Sequence, residues 1–87
     1  MLKYETEIRS ILCQILGIKN LDDIDVRDDL HTVGMDSLHC IELIVALEER
    51  FDIRIPDEKL GVQYVHNIYD ICKLTEEMIT DEQLQAI

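Results

Sequence analysis

The chain has 87 residues, 19 of them Asp or Glu and 8 Lys or Arg, for a formal net charge of −11. That length fits a single domain, and the charge argues against nucleic acid or an anionic membrane surface, because phosphate contacts need clustered Lys and Arg. The same charge favours partners that present a basic patch, or else serves solubility alone.

One Pro and three Gly punctuate the chain only lightly, which suits a helical protein. The first periodic segment runs from about Lys3 to Leu16. Tyr4, Ile8, Ile11, Leu12, Ile15 and Leu16 share one helical face, with Lys3, Glu7, Ser10 and Gln14 opposite. Gly17 follows, where a left-handed C-cap would need it.

From Ile18 to Met35 the periodicity fades. Asp22, Asp23, Asp25, Asp28 and Asp29 crowd this stretch, with Leu21, Ile24, Val26, Leu30 and Val33 between them. It reads as a long loop pinned to the core by its aliphatic residues, and loops of this length are usually functional or disordered. A second helix is predicted from Asp36 or Ser37 to about Arg50, with Asp36 as N-cap. Asp52 to Ile55 makes a short bridge, and Pro56 then opens a short helix through about Leu60, ended by Gly61.

The last helix begins after Asn67, which can cap it, with Asp70 three residues on. Ile68, Ile71, Cys72, Thr75, Met78 and Ile79 share its apolar face, and about 80–87 either extends it or frays. Three long helices and one short one, with no credible strand, predict an all-α four-helix bundle in one domain over 1–87.

Cys13, Cys40 and Cys72 are odd in number and far apart, and no CxxC pair exists. They suggest neither a redox motif nor a zinc site, and they fit a reducing compartment. Neither a signal peptide nor a membrane span is evident, so a cytoplasmic location is expected. Asp23-Ile24-Asp25 begins like a calcium-binding EF-hand loop, but Asp28 and Gly34 stand where that loop needs Gly and Glu. No metal site is expected. Hydrolase chemistry has no support either. Ser37 lacks a Gly-x-Ser-x-Gly elbow, and His39, two residues on along a helix, points elsewhere. His31 is expected in the loop and His66 just before the last helix.

The second helix carries two apolar groups. At about 100° per residue, Cys40, Leu43, Ile44, Leu47 and Phe51 form a core stripe. Leu38, Ile41 and Val45 form another beside Ser37, with Glu42 and Glu49 on one flank and Glu48 on the other. An apolar patch rimmed by charge is the anatomy of a recognition surface; the alternative is a helix buried on both sides. Ser37 itself would sit in a first helical turn, where free N–H groups and the helix dipole favour a phosphate.

Gly34-Met35-Asp36-Ser37-Leu38 resembles the phosphopantetheine attachment motif of carrier proteins. Ile41-Glu42-Leu43, Ala46 to Phe51 and Ile53 to Glu58 continue that resemblance to acyl carrier proteins. It is close over about Leu30 to Glu58, and the rest matches in length, helix order and acidity. The resemblance implies a discrete carrier with 4'-phosphopantetheine on Ser37. A transferase would install the arm from coenzyme A, and acyl groups would ride on it as thioesters. It implies no catalytic residue in the chain. It implies docking to acyl-transferring and chain-extending enzymes with basic patches, through Asp36, Glu42, Glu48 and Glu49 and the apolar Leu38, Ile41 and Val45. A monomer is expected.

His39 departs from the acidic residue common in fatty-acid carriers, and Val33 from a frequent leucine. His39 and Arg50 share a face, and Asp57 to Val65 looks slightly long. Polyketide or other specialised metabolism is therefore as open as fatty-acid synthesis. The competing reading is a helical adaptor that uses the Leu38, Ile41 and Val45 patch without a prosthetic group.

Overall fold

A computed structural model describes residues 2–56 and 65–85, the last five of these by their backbone alone. Three α-helices, α1 (Glu5–Leu16), α2 (Ser37–Phe51) and α3 (Ile68–Gln85), make up its regular structure together with one 3-10 turn, Leu30–Val33. No strand occurs among the described residues. The short helix expected through about Leu60, with Gly61 at its end, falls on 57–64, outside the described residues.

The apolar periodicity of α1 becomes its buried face: Ile8, Ile11 and Leu12 are buried, and Tyr4, Ile15 and Leu16 pack partly against the core. The helix starts at Glu5 rather than Lys3 because Tyr4 takes a left-handed backbone, φ 66°, which an α-helix cannot incorporate. The Tyr4 ring meets Phe51 edge-on at 5.2 Å, so the start of α1 lies against the end of α2. Gly17 ends α1 in the left-handed region, φ 69°, with its N–H on the Cys13 carbonyl.

α1 packs against both α2 and α3. Leu43 and Leu47 of α2 and Ile68, Ile71 and Thr75 of α3 are fully enclosed. Thr75 meets its polar demand within α3, donating from Oγ1 to the Ile71 carbonyl at 2.8 Å. Leu74, outside the face expected for α3, is also buried. The Asp70 N–H donates to Asn67 Oδ1 at 2.7 Å, so Asn67 caps the helix. The Asp70 carboxylate lies beside His66 Nε2 at 3.4 Å.

Between Gly17 and Asp36 the chain contains no α-helix, yet it is firmly held. Leu21 and Leu30 are buried, and Ile24, Val26 and Val33 pack against the core. The Leu30 N–H donates to the His66 carbonyl at 2.8 Å and the Tyr69 N–H to the Val26 carbonyl at 2.9 Å. The Arg27 guanidinium lies 4.0 Å from the centre of the Tyr69 ring. These contacts fix the segment that delivers the chain into α2.

Candidate functional site

The site is the first two turns of α2. Gly34 stands at φ 98°, a conformation that favours glycine, and closes the 3-10 turn through its N–H. Met35 then drops into the core at 3% exposure. Asp36 is extended and caps α2: its Oδ1 accepts the His39 N–H at 3.0 Å. The His39 side chain answers by accepting the Asp36 N–H at Nδ1, 3.3 Å away, which completes a capping box.

That bond from the His39 N–H holds the Asp36 carboxyl below its ordinary value. The Asp29 carboxyl is lowered too, first by the His31 N–H, which donates to its Oδ1 at 2.9 Å, and then by His31 Nδ1, 2.8 Å from the same oxygen.

Ser37 is the first helical residue and is exposed. Leu38, Ile41 and Val45 are the large hydrophobic side chains that stand out to solvent among the described residues, at 64%, 62% and 47%. Three and four positions apart, they adjoin along one side of the helix. The opposite stripe is buried at Leu43, Ile44 and Leu47 and half-buried at Cys40 and Phe51. Among the described residues α2 is therefore enclosed on one side only.

Glu42 and Glu49 are exposed beside the stripe. Glu48 is half-buried, and its Oε2 accepts the Ile55 N–H at 3.0 Å. Its charge thus pins the segment leaving α2 as well as bordering the stripe. Val45, Glu48, Glu49, Asp52, Ile53 and Arg54 line a shallow cleft of about 530 Å³ at that end.

The contribution of His39 to the helix start is absent from a reading of residue spacing. The signal was present in Asp36 and His39, three apart, but capping boxes ordinarily use Glu or Gln at the second position. Cys13, Cys40 and Cys72 are free thiols. Burial pushes the Cys40 thiol up, with the Asp36 charge adding to it. Among the described residues no group of three or more His, Cys, Asp or Glu is arranged to hold a metal. No helix among them is long and apolar enough to cross a membrane.

An exposed serine at a capped helix start, beside an unpartnered apolar stripe, is an arrangement suited to a covalently borne group. Residues 6–74 match the family described as a phosphopantetheine attachment site. The chain belongs to that family, whose members carry covalently attached 4'-phosphopantetheine. Carrier domains of this kind work with a phosphopantetheinyl transferase and with biosynthetic enzymes. The residues present fit the group: the Ser37 side chain is open to solvent, and the helix start offers backbone N–H groups and a positive dipole end to a phosphate.

Proposed function

We propose that this chain is an acyl carrier protein, with one carrier domain over 1–87 and its phosphopantetheine arm on Ser37. It catalyses nothing itself and serves fatty-acid, polyketide or related synthesis in the cytoplasm as a monomer. The observation that carries this reading is the position of Ser37 at the capped start of α2, next to the exposed Leu38, Ile41 and Val45.

In the loading step the Ser37 Oγ displaces adenosine bisphosphate from the pyrophosphate of coenzyme A. One P–O bond breaks, a phosphodiester forms, and the hydroxyl proton passes to a base of the transferase or to water. The arm supplies the terminal thiol on which acyl groups are held. The chain's own residues present the hydroxyl and bind the partner. Leu38, Ile41 and Val45 give the partner an apolar footing, while Asp36, Glu42, Glu48 and Glu49 meet its Lys and Arg. Surface ion pairs contribute roughly 0–1 kcal/mol each, so docking is brief and salt-sensitive. Tethering then raises the local concentration of cargo at each active site.

Incubation with coenzyme A, magnesium and a phosphopantetheinyl transferase is expected to add one arm to the wild-type chain and none to Ser37→Ala, read by intact mass. An unmodified wild-type chain, where a control carrier is loaded, would support the adaptor reading of the same stripe.

A further inference from the structure

Ser37 is held from both sides. On its N-terminal side Met35 is sunk in the core, and its N–H donates to the Leu30 carbonyl at 3.2 Å. Asp36 lies between that anchor and the helix, and its side chain is exposed. It therefore has no apolar hold of its own. What fixes Asp36 is the exchange of backbone N–H bonds with His39. The two side chains differ in their freedom: the imidazole is 27% exposed and the Asp36 carboxylate 65%. The more sheltered ring is thus the fixed member of the pair.

We propose that His39 is a positioning residue for the modification of Ser37. Its imidazole holds the backbone of Asp36, the residue bonded directly to Ser37, and so sets the direction in which the hydroxyl meets the transferase. This rests on the reading of Ser37 as the attachment point. His39 Nδ1 lies 3.3 Å from the Asp36 nitrogen and 3.0 Å from Asp36 Oδ1, so it ties the ring to Asp36 in either form: unprotonated it accepts the Asp36 N–H, protonated it donates to the carboxylate. A side chain without an acceptor leaves that N–H to water and frees the Asp36 torsions. The Ser37 hydroxyl then samples directions from which transfer is not productive.

Two substitutions in the full-length chain separate this role from bulk packing. His39→Leu keeps an apolar body and removes the acceptor. His39→Gln restores an acceptor of the kind capping boxes use. Initial loading rates with coenzyme A and a transferase are read by intact mass, and Asp36 amide hydrogen exchange is followed in the same proteins. For His39→Leu the loading kcat/KM should fall about fivefold, the factor matching a cap of ordinary strength, and Asp36 exchange should quicken. His39→Gln should return both to near wild type.

Wild-type loading by His39→Leu, or an equal loss in both variants, would overturn the positioning role. A wild-type chain that is not loaded at all would remove the Ser37 reading, and this inference with it. Exchange at buried α1 amides such as Ile8 and Leu12, followed in the same samples, separates loss of the cap from a general loss of stability.

Discussion

The Arg9 guanidinium of α1 donates from Nη1 to the Ile24 carbonyl oxygen at 2.9 Å. The same nitrogen donates to the Leu21 carbonyl, and Nε pairs with Glu5 one turn earlier, at 3.0 Å. One side chain thus ties the first helix to the loop that leads to Ser37. Arg9→Met keeps the aliphatic stem but strips a charged donor from its carbonyls, and is expected to destabilise the fold by about 1.5–3 kcal/mol. Arg9→Lys should recover only part of that, because an ammonium cannot reproduce the planar fork. Urea denaturation of the three proteins checks the order; equal midpoints would mean the loop is held by its aliphatic residues alone.

Ile41 and Leu43 lie two residues apart on α2 and face opposite fates: 62% exposed against fully buried. Leu43→Ala opens a cavity in the core and should cost about 2–5 kcal/mol. Ile41→Ala removes no buried contact and should change stability by less than about 0.5 kcal/mol. If the exposed stripe is the docking surface, Ile41→Ala should instead weaken binding to a partner enzyme. Paired measurements of unfolding free energy and partner affinity separate the two; a destabilised Ile41→Ala with unaltered binding would count against the docking role.

The helix limits were readable wherever a local residue sets them. Gly17, Asp36 and Asn67 each end or start a helix through contacts within a few positions, and their types announce it. The two faces of α2 followed from its period alone. Illegible were the links made by tertiary neighbours. Nothing in spacing placed Arg9 on the carbonyls of Leu21 and Ile24, or Glu48 on the Ile55 N–H. Tyr4 and Asp52 adopt left-handed backbones, φ 66° and 54°, at helix ends where glycine or asparagine would have given notice. Leu74 was missed because α3 buries a wider arc than the stripe its periodicity outlines. In the site, Ser37 and its stripe were legible, whereas the His39 cap needed the ring's rotamer.

The lowered Asp36 carboxyl gives the helix start a defined pH dependence. The His39 N–H bond favours the carboxylate over the acid in the folded chain. A group whose folded pKa is depressed contributes stability above its unfolded value and loses it as pH falls through the folded one. That contribution is therefore intact at neutral pH and begins to be lost as the pH falls below about 4, near the ordinary Asp value. Asp36→Asn keeps a good N-cap and removes the charge. Relative to Glu49→Gln, a control for lost net charge, it should be less stable at pH 7, by a margin that shrinks as the pH falls below about 4. A difference that persisted undiminished in acid would deny the carboxylate this part.

The thiols provide a separate test of the core and of loading. Cys72 is 1% exposed, and burial pushes its thiol up to about 11, with the Glu5 charge adding to the shift. At pH 8 about one such thiol in a thousand would be ionised even with solvent access. Cys13 is half-buried and lines a groove between α1 and the loop beside Arg9 and Lys19. A disulfide reagent at pH 8 should therefore label Cys13 in the folded protein and leave Cys72 untouched until urea unfolds it, as located by peptide mapping. Loading should add one rapidly reacting thiol, that of the arm, without exposing Cys72. Labelling of Cys72 at the rate of Cys13 in the folded chain would contradict the packing of α3 against α1. A loaded chain with no added fast thiol would contradict an arm that stands free of the bundle.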